Sequence, residues 1–135
     1  MRVFLDTNVL VAAFATRGIC EDLLRTVLAE HELVVSELVL EELRGVLVEK
    51  LRISKAKAAA ITTFIRSQAD IVHPAKPARW PENDPDDQWI IAGAIEGETE
   101  VLVTGDRDLL DVAGEVPISI VAPRGFWETL RRSTS

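Results

Sequence analysis

Short β-forming runs alternate with helix-patterned stretches along the whole chain, and this alternation restricts the fold more than any other feature. Val3-Phe4-Leu5, Leu33-Val34-Val35, Val101-Leu102-Val103 and Ile118-Ser119-Ile120-Val121 each read as a strand, with Ile71-Val72 as a shorter one. Thr7-Asn8 can cap a helix that Val9 to Phe14 begins, and Ile19 to Glu30 places Leu23, Leu24, Val27 and Leu28 on one helical stripe. Ser36 caps a helix through about Lys50, and Ser54 caps another through about Ala69. After a proline-rich loop from Pro74 to Pro85, Asp84-Pro85 supplies an N-cap and an N1 proline for a helix through about Gly97. A last helix is expected from Gly125 to Arg132. Strands that are apolar at consecutive positions are covered on both faces. The expected fold is therefore a three-layer α/β/α domain with a central parallel sheet of about four to five strands. No repeat or break in composition divides residues 1–135, so one domain is expected.

Composition narrows the function. The chain carries a formal net charge of −7, whereas nonspecific coating of nucleic acid draws on a basic surface. A nucleic-acid role therefore needs a local basic patch, or metal ions that reverse the local charge. The single cysteine, Cys20, excludes an internal disulfide framework and a cysteine-rich zinc site. No apolar run approaches the ~20 residues that span a bilayer, and Arg2 and Asp6 interrupt any signal-peptide core at the start. A cytoplasmic location and no membrane partner are expected.

Parallel sheets of this kind bind ligands beyond the carboxyl ends of their strands, so acids placed there matter most. Asp6 follows the first strand, and Asp106 follows Val101-Leu102-Val103 after Thr104-Gly105. Each can also serve as a helix N-cap. Helical rotation of ~100° per residue puts Val39, Leu40, Leu43, Val46 and Leu47 on one face, with Glu42 at its edge and Glu41 pointing nearly opposite. In the helix after Pro85, the face of Ile90, Ile91, Ala94 and Ile95 includes Asp87, while Asp84 reads as the cap and Asp86 as a favourable charge at the helix start. Converging carboxylates repel one another and call for a cation; an all-oxygen donor set suits Mg²⁺ or Mn²⁺, which promote phosphoester hydrolysis. His31 and His73 read as surface or loop residues. Lys50, Arg52, Lys55 and Lys57 form a candidate RNA-contact cluster at a helix junction, with helix-dipole complementarity as the plainer reading. Trp80 and Trp89 flank the Asp84–Asp87 segment and read either as packing residues or as stacking platforms.

Taken in order, Leu5-Asp6-Thr7-Asn8-Val9-Leu10, Ser36 with Glu42-Leu43, Asp84-Pro85-Asp86-Asp87 ahead of Ala94, and Val103-Thr104-Gly105-Asp106-Arg107-Asp108-Leu109-Leu110 resemble the PIN-domain ribonucleases. The likeness is particularly to the toxins of bacterial toxin–antitoxin pairs, and it covers nearly the whole chain. The resemblance implies an acidic quartet of Asp6, Glu42, Asp87 and Asp106 that binds Mg²⁺ or Mn²⁺ and catalyses RNA cleavage. It further implies supporting roles for Asn8, Thr104 and Asp108, a homodimer, and an antitoxin partner that blocks the site. Three other readings compete. An aspartate-dependent phosphatase-like hydrolase wants a second acid two residues after the first, where this chain has Asn8. A phosphoacceptor signalling domain wants paired acids at the first strand tip, which Val3-Phe4-Leu5-Asp6 does not provide. A catalytically silent PIN-fold binding module would have no need of the complete quartet.

Overall fold

The computed structural model describes residues 1–133. Five parallel strands form one sheet in the order β3-β2-β1-β4-β5: β1 (Arg2–Leu5), β2 (Glu32–Ser36), β3 (Asp70–Val72), β4 (Val101–Val103) and β5 (Ser119–Val121). Among the described residues the helices are α1 (Thr7–Ala15), α2 (Ile19–Glu30), α3 (Glu37–Glu49), α4 (Lys55–Gln68), α5 (Pro85–Glu96), α6 (Arg107–Asp111) and α7 (Pro123–Ser133). Val3, Phe4 and Leu5 are all fully buried, and neighbouring strand residues point to opposite faces, so both faces of the sheet are covered. This is the expected α/β architecture.

The central strand β1 lies between β2 and β4, with Leu5 in register with Val103. The strand order turns in opposite directions on the two sides of β1, which makes the β1/β4 tips the switch point where such sheets open a crevice. The Asp6 N–H bonds to the Val103 carbonyl at 3.0 Å, extending the ladder to the site. On one face, α5 packs unusually close. A Cβ on Gly93 would stand 3.2 Å from Ser36 Cβ and 3.3 Å from Phe4, and one on Gly97 would meet Val34 at 2.6 Å. Glycine at these two places lets α5 lie against the sheet, and that contact sets the height of Asp87 at its first turn.

Some boundaries and faces differ from the sequence expectation. The N-cap of α1 is Asp6 rather than Thr7-Asn8, because its carboxylate accepts the Thr7 N–H at 2.7 Å. The last helix starts at Pro123, whose fixed φ suits a first helical turn, and not at Gly125. Ile118 lies outside β5. Ile95 is 37% exposed and so leaves the inner face of α5, where Ile90, Ile91 and Ala94 remain buried. Among the described residues, no helix is long and apolar enough to cross a membrane.

Candidate active site

Asp6, Glu42, Asp87 and Asp106 line one cleft of about 560 Å³ together with Thr7, Asn8 and Lys50. They reach it from four different places: the β1 tip, the second turn of α3, the first turn of α5 and the turn after β4. Local capping aims the acids. Ser36 accepts the Val39 N–H to start α3, and Asp84 accepts the Asp87 N–H at 3.2 Å to start α5. Asp106 accepts the Asp108 N–H at 2.9 Å to start α6. Asp6 and Asp106 are thus helix caps and cleft residues at once, so the capping reading and the site reading are compatible.

A hydrogen-bond chain ties the acids together. Thr104, fully buried, donates its hydroxyl to Asp6 Oδ2 at 2.8 Å and accepts the Asp106 N–H at 3.0 Å. Asn8 donates to Asp6 Oδ2 at 3.2 Å and accepts the Gly105 N–H at 3.1 Å, joining the β1 and β4 tips a second time. Thr7 donates its hydroxyl to Glu42 Oε2 at 3.3 Å. Sequence reasoning treated Thr7 only as a cap; its place directly after a strand-tip aspartate was the available signal. Asp86 also lines the cleft, and its charge bears on Glu42. Glu41 instead faces a separate groove with Arg44 and Lys55, so the helix phase that separates the two glutamates is as expected.

Burial pushes the Asp6 carboxyl above its ordinary range, partly offset by the bonds from Thr104 and Thr7, while the Asp106 charge pushes it further up. Glu42 is raised by burial and by Asp6, against the Thr7 bond. Asp87 moves most, to about 8, through burial and then the charges of Asp106 and Asp84. Its Oδ2 is buried without any hydrogen-bond partner. An orphaned, buried carboxylate oxygen beside three further carboxylates fits a hard divalent cation.

The other candidates are dispersed. Among Lys50, Arg52, Lys55 and Lys57, only Lys50 lines the cleft. Lys50 caps the α3 C-terminus, as the dipole reading requires, but Lys55 and Lys57 sit in the first turn of α4, where the dipole disfavours a cation. Asp108 is exposed and turns toward Asp84 and Asp87. His73 is exposed near Glu37, in a groove it shares with Asp86, and His31 stands against the N-terminal amine; neither lines the cleft. Trp80 is half-buried under the Arg79 guanidinium at 4.5 Å, and Trp89 lines a neighbouring groove with His73 and Leu38.

The raised Asp87 carboxyl has a measurable consequence. Between the unfolded value of ~3.9 and the folded value of about 8, the folded chain holds a proton that the unfolded chain releases. Without metal, stability should therefore fall as pH rises across that window. Asp87→Asn should raise the melting temperature at pH 8 by on the order of 5 °C and make the fall shallower. Urea denaturation in EDTA at pH 5 and pH 8 checks this; equal pH slopes for the two proteins would refute it.

The PIN domain family model matches residues 2–108. Among solved structures, the chain is similar to VapBC2 from Rickettsia felis bound to a promoter DNA fragment, with 18% identity and a TM-score of 0.66 over 90% of this chain and 98% of that one. It is also similar to VapBC-1 from nontypeable Haemophilus influenzae, with 16% identity and a TM-score of 0.65 over 92% and 99% of the two chains. The PIN domain endonuclease Utp24 matches with 20% identity and a TM-score of 0.53 over 90% and 84%. No curated protein matches significantly by sequence.

Proposed function

Because the chain belongs to the PIN domain family, we propose that it is a nuclease that hydrolyses RNA phosphodiester bonds with Mg²⁺ or Mn²⁺ and acts as the toxin of a toxin–antitoxin pair. One observation carries the reading: four acids from four elements meet in one cleft at the β1/β4 switch point. The orphaned Asp87 oxygen supports a cation there. That two solved relatives are VapBC complexes supports an antitoxin as partner. The homodimer and the cytoplasmic location belong to the same proposal.

Asp6, Asp87 and Asp106 would hold the ion, with Glu42 beside them. When bound, Mg²⁺ or Mn²⁺ polarises a phosphoryl oxygen and acidifies water. The chain's own groups supply positioning. Thr104 and Asn8 fix Asp6 so that its carboxylate does not rotate away, and Thr104 simultaneously holds the Asp106 backbone. Glu42, steadied by Thr7, orients the attacking water from the α3 side of the cleft. Lys50 brings a positive charge to the otherwise acidic cleft and can meet a substrate phosphate.

Binding of the ion to the folded chain alone stabilises it by mass action. Melting in millimolar Mn²⁺ should exceed melting in EDTA by several degrees, and Asp6→Asn should lose most of that gain; an unchanged melting temperature in the wild type would contradict the metal assignment. Substrate class is tested with single-stranded RNA, single-stranded DNA and para-nitrophenyl phosphate, each with Mn²⁺. Hydrolysis of RNA alone is expected. Hydrolysis of the monoester alone would indicate a phosphatase, and no hydrolysis of any substrate would indicate a binding module.

A further inference from the structure

A second groove, of about 440 Å³, adjoins the acidic cleft. Leu38, Val72, Pro74 and Trp89 make its apolar side, and Glu37 and Asp86 bring carboxylates. Asp86 stands on the border and lines both spaces. Ser36 and Val72, which end β2 and β3, also line the groove, so it lies at the same carboxyl edge of the sheet as the cleft. Resting on the RNA-cleaving reading above, we propose that this groove seats one unpaired base of the substrate, stacked on Trp89, with Asp86 selecting guanine.

The tryptophans differ in what they do for the fold. Trp80 and Trp127 pack against the hydrophobic core, whereas Trp89 is half-buried and is not among the side chains packed against it. Arg79 lies over Trp80 at 4.5 Å, and among the described residues no cation covers the Trp89 ring. An indole at the wall of a groove, with no core to hold together, is a stacking platform, and every base has a π-face to offer it. Asp86 precedes Trp89 by three residues in α5, so the two side chains are neighbours on one helical face. The carboxylates of the groove repel phosphate, which keeps the backbone outside and turns a base inward. They are not equivalent. Glu37 accepts both Arg66 nitrogens, at 2.7 and 2.9 Å, while among the described residues no lysine or arginine pairs with Asp86. Asp86 is thus the acceptor left for a ligand. Proteins read unpaired RNA bases by an aromatic face and by hydrogen bonds at the Watson–Crick edge. Guanine alone among the four bases presents two adjacent N–H donors there, N1–H and the N2 amine, which match one carboxylate.

The test follows binding in the Asp106→Asn protein with Mg²⁺, so that the RNA stays whole. Anisotropy of a labelled, unstructured single-stranded RNA gives the affinity. Adding Trp89→Ala should weaken it by about tenfold, and Trp89→Phe, which keeps an aromatic face, by less than about threefold. Circular dichroism checks that each variant is folded. Phe64→Ala, an exposed aromatic on α4 outside the groove, should change affinity less than about twofold. RNA should quench tryptophan emission, and Trp89→Phe should lose most of that quench. Replacing guanine throughout the RNA by inosine, which lacks only the N2 amine, should weaken binding about fivefold, and Asp86→Asn should erase that difference. Full affinity in folded Trp89→Ala, or an equal loss in Phe64→Ala, would overturn the base site; the first would leave the groove to a protein partner. Binding indifferent to inosine would overturn the choice of guanine. The nuclease reading fails separately, if wild-type protein with Mn²⁺ leaves RNA uncut while Trp89-dependent binding persists.

Discussion

Asp106→Asn should lower RNA cleavage by about a thousandfold or more, equivalent to roughly 4 kcal/mol of transition-state stabilisation, while the fold persists. The structure makes this variant unusually clean. Asp106 Oδ1 caps α6 by accepting the Asp108 N–H, and an asparagine oxygen can do the same. Only the charge is lost. Removing that charge also relieves its pressure on Asp6 and Asp87, so the metal-free variant should melt no lower than the wild type. Asp6→Asn should be as damaging to activity but is harder on the structure. The Asp6 carboxylate accepts three bonds, from Thr7, Asn8 and Thr104, and an amide turns one accepting position into a donor. Initial rates on one RNA substrate at saturating Mn²⁺, with a melt of each protein, check both. Near-normal activity in either variant would remove that residue from the site.

Glu42→Gln should cut activity by about a hundredfold, near 3 kcal/mol, whereas Glu41→Gln should change it less than about threefold. The two residues are adjacent, yet Glu42 is half-buried in the cleft beside Thr7, and Glu41 is exposed in another groove. Glutamine can still accept the Thr7 hydroxyl, so the loss would report charge and water orientation rather than a collapsed contact. Side-by-side rates decide the matter. If Glu41→Gln is the damaging change, the assignment of the α3 acid is wrong.

The sheet was readable because Val3 to Leu5, Leu33 to Val35 and Val101 to Val103 are apolar at every position, as strands buried on both faces are, and too short to be buried helices. Glu42 and the inward turn of Asp87 followed from helical rotation, which long helices obey. The double duty of Asp6 was harder to see. A strand-tip aspartate can cap or point into a cleft, and nothing in one dimension says that Thr7 and Thr104 let it do both. The proximity of Asp84 to Asp108 was also out of reach. It depends on how the loop before α5 meets a five-residue helix, and such contacts leave no periodic signal. Ile95 departs from its expected face because the side of α5 that packs on the sheet runs through Gly93, Ala94 and Gly97, the last still pressed against Val34, and leaves Ile95 outside it.

The central claim is that the cleft of Asp6, Glu42, Asp87 and Asp106 performs metal-dependent phosphodiester hydrolysis. It is tested most directly by following one end-labelled single-stranded RNA with wild-type protein in Mn²⁺, in EDTA, and in EDTA followed by excess Mn²⁺, beside Asp106→Asn throughout. Cleavage by the wild type that vanishes in EDTA, returns with Mn²⁺ and is absent from Asp106→Asn is the expected result. Cleavage that persists in EDTA, or that Asp106→Asn retains at the wild-type rate, would contradict it.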